Sequence, residues 1–174
     1  MPRNVEIKAR VSNLDAVRLR AAQLSNFPEK LIRQRDTFFQ CDSGRLKLRF
    51  LEGEESQLIF YQRDDQEGPK LSNYHWADIG KPEVLENVLG LAYGVKGTVI
   101  KTRYLYLVGQ TRVHCDQVEG LGDFAELEVV LRDDQTPEEG EVIAHELMAE
   151  LGIFKEDVQS CAYMDLILKK NNSS

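Results

Sequence analysis

The stretch NVEIKARV, residues 4–11, alternates between polar and apolar side chains along its whole length. Such alternation predicts a β-strand, because successive residues of a strand point to opposite faces of the sheet. One face carries Glu6 and Lys8, and the other carries Val5 and Ile7. Taken alone, the stretch predicts a half-exposed strand with its apolar face on the core and its charges in water.

The same alternation returns in three later segments, GRLKLRF (44–50), VIKTR (99–103) and AELEVV (125–130). In each of them, charges of one sign share a face: Arg45, Lys47 and Arg49, then Lys101 and Arg103, then Glu126 and Glu128. A face turned to water usually mixes signs to limit repulsion. These single-sign faces favour the alternative, a sheet curled into a barrel with a polar interior and with apolar side chains facing outer helices.

The order of periodic segments defines the fold class. Segments 12–24, 81–94 and 136–152 have helical spacing of apolar residues, with Ser12 or Asn13 and Thr136 as N-caps. The remaining segments predict about eight strands joined by short turns, which implies antiparallel pairing. We expect a single α+β domain over residues 1–169, followed by a disordered tail over 170–174.

Bulk composition excludes several classes of protein. The chain has 174 residues and a net charge of −7, which argues against a protein that coats nucleic acid. It contains neither an apolar run long enough to span a membrane nor the apolar centre of a signal peptide, so we expect a cytoplasmic protein. The three cysteines are far apart in sequence, which argues against a disulfide framework or structural zinc. The oligomeric state stays open.

A polar interior lined by Lys and Arg needs an anion with several charges, and paired carboxylates suit a hard divalent cation. A triphosphate bound with Mg²⁺ or Mn²⁺ satisfies both demands. The Walker sequence GxxxxGK[ST] is absent, so side chains rather than a glycine-rich loop must hold the phosphates.

Six motifs follow one another in the order seen in the CYTH superfamily: VEIK, DTFF, GRLKLR, LIFYQR, VIKTRYLY and TRVHCDQVEGLGDFAELEVV. This superfamily is named for class IV adenylyl cyclases and thiamine triphosphatases, and it includes inorganic tripolyphosphatases. The resemblance extends from Val5 to about Leu168, and it looks strongest to the cyclase-like branch. It implies the triphosphate tunnel fold, a closed eight-stranded antiparallel barrel with helices outside.

The resemblance also implies a set of site residues. The expected phosphate ligands are Lys8, Lys47, Arg49, Lys101, Arg103 and Arg112, with Arg63 as an additional candidate. The expected metal ligands are Glu6, Glu126 and Glu128, with Asp116 as a further acidic position in the lumen. The competing interpretation of these residues is a buried network of ion pairs that only fills the barrel.

The chain departs from the family pattern in two places. The opening motif ExExK reads NxExK here, so Asn4 replaces a carboxylate and should weaken metal binding. Hydrolytic members resemble one another in using a lumen Lys, oriented by a Tyr, to activate water. The matching positions are interpreted as Gln62 and Phe38, and neither side chain can act as a general base.

Strand phase is ambiguous in RQRDTFF and at Arg63, which is adjacent to the expected lumen position Gln62. In RQRDTFF (33–39), simple alternation sends Arg33 and Arg35 inward with the other cations, whereas the resemblance sends Gln34, Asp36 and Phe38 inward, and we follow the resemblance. His114 shares a face with Asp116 by alternation, so a lumen position for it stays open. The aromatic stretch NYHW (73–76) suggests base stacking, but we interpret it as rim or core.

The favoured function is metal-dependent phosphohydrolysis of inorganic tripolyphosphate or of an organic triphosphate such as ATP or thiamine triphosphate. The first alternative is a class IV-type adenylyl cyclase that converts ATP to cyclic AMP and pyrophosphate. The second is a tunnel that binds a triphosphate without turnover, which Asn4, Gln62 and Phe38 favour.

Overall fold

The computed structural model describes residues 2–63 and 68–172. The strands are β1 (Arg3–Arg10), β2 (Lys30–Phe39), β3 (Arg45–Leu51), β4 (Ser56–Arg63), β5 (Lys70–Ile79), β6 (Val95–Val108), β7 (Thr111–Val118) and β8 (Gly122–Val130). The helices are α1 (Leu14–Leu24), α2 (Pro82–Tyr93), α3 (Pro137–Glu150) and α4 (Tyr163–Asn172), with a short 3₁₀ turn at Lys155–Asp157. The sequence pattern SQLIFYQRDD (56–65) predicts a strand that ends with Asp64 and Asp65, and these two residues lie outside the described residues.

The eight strands form a closed barrel in the order β1-β5-β4-β3-β2-β6-β7-β8. Every neighbouring pair is antiparallel. Strand β1 closes the barrel, because it pairs with β8 on one side and with β5 on the other. The predicted closed antiparallel barrel is therefore confirmed.

Apolar side chains on the outside of the barrel form the main core under α1 and α3. Val5 and Ile7 of β1 are buried there, beside Leu14 of α1 and Leu147 of α3. Helix α3 approaches β1 so closely that a Cβ atom added to Gly140 would lie 2.7 Å from the Val5 side chain. The strand NVEIKARV is thus inside out, with its apolar face packed on helices and its charged face turned into the barrel.

Helix α4 covers one end of the barrel. Tyr163 and Met164 pack on Phe38 and Phe124 in a second core cluster, and Asp165 forms an ion pair with Arg45 at 2.7 Å. Residues 170–172, which were expected in a disordered tail, form the last turn of this helix. A ten-residue segment gains helical stability from such packing rather than from its own propensity. Residues 173–174 lie outside the described residues.

Both predicted helix caps are present. Asn13 accepts a hydrogen bond from the Ala16 backbone, and Thr136 forms a capping box with Glu139. In the part of the chain that the structure describes, no helix combines the length and the apolar composition needed to span a membrane.

Candidate active site

A cavity of about 430 Å³ occupies the barrel lumen. Every predicted site residue lines this cavity except Asp116. The lumen therefore gathers seven cationic side chains of β1, β3, β4, β6 and β7 with carboxylates of β1 and β8: Lys8, Lys47, Arg49, Arg63, Lys101, Arg103 and Arg112 with Glu6, Glu126 and Glu128. Their roles in binding stay predictions.

Asp36 of β2 fixes the cations of β3. Its two carboxylate oxygens accept hydrogen bonds from Arg49 at 2.8 Å each, and Lys47 lies 3.4 Å away. Burial opposes ionisation of Asp36, but Arg49 and Lys47 outweigh burial and hold its pKa far below the usual range. This carboxylate positions both cations against the cavity.

Asp116 plays the same part for Arg103 of β6. It is completely buried and accepts hydrogen bonds from Arg103 at 2.7 and 2.8 Å and from the Tyr163 hydroxyl at 2.8 Å. Lys101 lies 3.9 Å away. Asp116 was expected beside the metal carboxylates in the lumen. Its oxygens instead face Arg103 and Tyr163, and Asp116 does not line the cavity.

Three lumen lysines have lowered pKa values. Burial disfavours the ammonium form and lowers the pKa of Lys101 to about 7 and those of Lys8 and Lys47 to about 8. Repulsion from Arg103 adds to this effect at Lys101, and repulsion from Arg49 adds to it at Lys47. A multiply charged anion in the cavity would favour the charged form of these lysines and would therefore raise their pKa values.

The acidic side of the cavity lies on β7 and β8. One ligand atom each of His114, Glu126 and Glu128 lie within 4.8 Å of one another. Glu6 faces this group, and its carboxylate lies 3.1 Å from Arg63. Burial, together with the charges of Glu128 and Glu126, raises the pKa of Glu6 to about 7.

The donor atoms of this group suit a divalent cation. Burial and the charge of Arg103 lower the pKa of His114 to about 4, so the imidazole is neutral and keeps a lone pair. His114 Nδ1 is buried, as is Asn4 Oδ1, and neither atom has a hydrogen-bond partner among the described residues. Carboxylate, amide and imidazole donors around crowded negative charge fit Mg²⁺ or, better, Mn²⁺.

The structure settles the ambiguous strand phases. Gln34, Asp36 and Phe38 line the cavity, as the resemblance implied, while Arg33 and Arg35 point outward to Glu52 and Glu86. His114 also lines the cavity.

The predicted lumen position of Gln62 is wrong. Gln62 points outward and donates a hydrogen bond to the Ser43 carbonyl at 2.7 Å, whereas Tyr61 and Arg63 line the cavity. The preceding segment LIFY is apolar on both faces of the strand, so alternation does not show which of its residues point into the barrel. Arg63 is favoured inside because Glu6 pairs with it there.

Sequence reasoning missed three residues of the site or left them open. The sequence did indicate His114, because it lies two residues from both Arg112 and Asp116 and therefore shares their face of the strand. Asp36 was expected inside but was given no role. No pattern in the sequence indicated Tyr163. Its ring centroid lies 4.1 Å from Lys8 Nζ and 4.8 Å from Lys101 Nζ only because α4 packs against the barrel.

The profile of the CYTH domain matches residues 2–163. The chain belongs to the CYTH family. One similar protein, adenylate cyclase CyaB of Aeromonas hydrophila, is 25% identical over 173 residues, covering 93% of this chain and 87% of CyaB. The PH1012 protein of Pyrococcus horikoshii is 26% identical with a TM-score of 0.82, covering 94% and 98% of the two chains.

A plant structure shares the same fold. An adenylyl cyclase candidate from Hippeastrum, described as having a dominant triphosphatase activity, superposes with a TM-score of 0.67 at 19% identity. The alignment covers 97% of this chain and 96% of the Hippeastrum chain.

Proposed function

We propose that this CYTH protein is a divalent-metal-dependent phosphohydrolase that acts on a triphosphate inside the barrel. One observation carries the proposal: a row of cations held by Asp36 and Asp116 shares a single cavity with the His114, Glu126 and Glu128 group. Phosphoryl transfer needs mainly positioning and neutralisation of phosphate oxygens, which this pairing supplies.

The cations have distinct tasks in this proposal. Arg49 and Arg103 are oriented by their carboxylate partners, so they can present remaining N–H groups to phosphate oxygens. Lys47 and Lys101 add compact charge beside them. Arg63 and Arg112 form ion pairs with the lumen carboxylates Glu6 and Glu128, and Lys8 lines the same cavity.

Glu126, Glu128 and His114 would hold Mg²⁺ or Mn²⁺, and Glu6 and Asn4 are the adjacent oxygen donors in the same cavity. Such an ion supplies positive charge beside the phosphoryl oxygens. Phe38 lines the cavity at the position interpreted as that of the tyrosine in the related triphosphatases, and it has no hydroxyl with which to orient a lysine.

The similarity to CyaB supports cyclisation of ATP as a second candidate. The same cations and carboxylates would serve either reaction. The difference is the attacking oxygen, which is water in hydrolysis and the ribose 3′-hydroxyl in cyclisation.

Product analysis separates the candidates. The pure protein is incubated with tripolyphosphate, ATP or thiamine triphosphate plus Mg²⁺ or Mn²⁺, and phosphate, pyrophosphate and cyclic AMP are followed. We expect orthophosphate as a product. Cyclic AMP with pyrophosphate would establish the cyclase, and tight triphosphate binding without any product would overturn the enzyme proposal.

The affinity for triphosphate without metal should fall as pH rises. Lys101 and Lys47 have pKa values of about 7 and about 8 in the free protein, and a bound anion favours their charged forms. Affinity is therefore full below pH 7 and should fall by up to about tenfold for each lysine per pH unit above its pKa. Calorimetry with tripolyphosphate from about pH 6 to about pH 9 measures this change.

Lys101→Arg is the matched control, because a guanidinium stays charged throughout this range. The titration of tripolyphosphate itself contributes equally for both proteins. The fall should be shallower in the variant, and identical profiles would show that Lys101 does not control the pH dependence.

A further inference from the structure

Helix α2 carries apolar side chains on the side that faces away from the barrel. It packs on β2 and β3, and every one of its residues is at least partly exposed. Val84, Val88 and Leu91 follow one another at intervals of four and three residues, so they form one stripe along the helix. All three are more than half exposed, and Leu91 reaches 82%. A helix on the surface of a globular protein usually turns polar side chains to water, so this stripe indicates a contact with another molecule.

The stripe continues onto the start of β6. A Cβ atom added to Gly90 would lie 3.3 Å from a methyl group of Val95, so Val95 lies directly beside the helix. Val95 is also more than half exposed. Together with the stripe it forms the α2 patch, which presents roughly 400 Å² of apolar surface to solvent. Contiguous apolar patches of this size mark interaction surfaces.

Contacts on the other side of α2 hold the patch in place. Glu86 lies on the side of the helix opposite to the stripe, since successive residues are about 100° apart. Its carboxylate accepts hydrogen bonds from Arg35 Nη1 and from Thr37 Oγ1 of β2, both at 2.7 Å. These bonds fix the rotation of the helix about its axis and keep the stripe turned outward. A surface that is already ordered loses little conformational entropy on binding.

The composition of α2 argues against a membrane surface as the partner. Helices that lie on membranes carry Lys and Arg along their polar face, whereas α2 contains neither residue type. Glu83 and Asn87 flank the stripe instead. The net charge of −7 also disfavours anionic lipid headgroups. A protein surface with an apolar stripe of its own is the better match.

The two ends of α2 are complementary to each other. Lys81 is exposed at the N-cap, the positive end of the helix dipole, and it forms no ion pair with any residue that the structure describes. The last turn contains no basic residue to balance its free carbonyl groups. If two copies of α2 pack antiparallel with Val84 opposite Leu91, each Lys81 comes beside Gly94, the C-cap of the other helix. A second copy of this chain therefore supplies the missing charge at both ends.

We propose that the α2 patch is the interface of a homodimer, in which α2 packs antiparallel on α2 of a second copy across a two-fold axis near Val88. Such an interface uses the same surface of both chains. The two patches would bury roughly 800 Å² of apolar surface, and the polar residues around them bring the total to the low end of specific interfaces, about 1,200 Å². We therefore expect a dissociation constant in the micromolar range.

Sedimentation of the full chain between about 1 and about 200 µM tests the dimer. The wild type should shift from the mass of one chain to twice that mass. Val88→Asp places two carboxylates at the axis and should raise the dissociation constant at least about 100-fold. Val142→Asp is the matched control, because it makes the same change at a 56% exposed valine of α3. It should leave the dimer intact.

Two further variants test the antiparallel arrangement. In Val88→Cys, the two introduced thiols lie near the axis, so mild oxidation should link two chains by a disulfide. Wild type and Val142→Cys are oxidised in parallel, because the chain has cysteines of its own. Lys81→Glu should weaken the dimer about 3- to 10-fold, and by less at high salt.

These outcomes decide the proposal independently of catalysis. A wild type that stays monomeric at every concentration, or a dimer that Val88→Asp leaves intact, would overturn it. Equal cross-linking of Val88→Cys and Val142→Cys would refute the antiparallel contact. Binding of a monomer to phosphatidylglycerol vesicles, lost in Val88→Asp, would assign the patch to a lipid surface and overturn the dimer. Turnover per chain should be the same in Val88→Asp and in the wild type, since the patch lies outside the barrel.

Discussion

Glu126→Gln combined with Glu128→Gln should lower kcat/KM for triphosphate turnover by about 10³-fold. The two carboxylates and His114 present ligand atoms within 4.8 Å of one another, and the amides keep the shape while removing both charges. Binding of Mn²⁺, measured by calorimetry without triphosphate, should be lost together with activity. This second readout separates a loss of metal from a fault in substrate binding.

Glu146→Gln with Glu150→Gln is the matched control, since both residues are exposed on α3 outside the barrel. This control should keep its activity and its affinity for Mn²⁺. Undiminished Mn²⁺ binding in the Glu126 and Glu128 variant would refute the proposed metal site, provided that its thermal unfolding matches that of the wild type.

Arg103→Ala should lower the free energy of unfolding by about 3–5 kcal/mol, because it removes the guanidinium that is hydrogen-bonded to a buried carboxylate. Asp116 is completely buried and receives two hydrogen bonds from Arg103. Phosphate binding should weaken in the same variant. Urea unfolding at neutral pH measures the stability, and calorimetry with tripolyphosphate measures the binding.

Arg112→Ala provides the comparison for this pair. Arg112 also forms an ion pair with a carboxylate, Glu128, at 2.9 Å, but its side chain is 39% exposed. Its removal should therefore cost no more than about 1 kcal/mol of stability. Replacing both Arg103 by Met and Asp116 by Leu should recover much of the stability lost in Arg103→Ala without restoring phosphate binding. Equal costs for Arg103→Ala and Arg112→Ala would contradict a special role of burial.

Much of the fold follows from alternation alone. Period-two segments with charges of one sign, such as the Lys47 and Arg49 face, predicted a polar interior, and the barrel confirms it. Strand β2 needed the family resemblance, because Arg33 and Arg35 compete with Asp36 for the inner face. Strand β4 was misread at Gln62, because its apolar residues occupy both faces.

The sequence by itself determined which strands carry the cations and which carry the carboxylates, since residues two apart must share a face. Only the tertiary structure decided which of these charged side chains pair with one another. It places Asp116 behind Arg103 and under Tyr163, brings α4 over one end of the barrel, and leaves Trp76 at the other. These relations join residues far apart in the chain, and they depend on strand stagger and helix docking, which local periodicity does not encode.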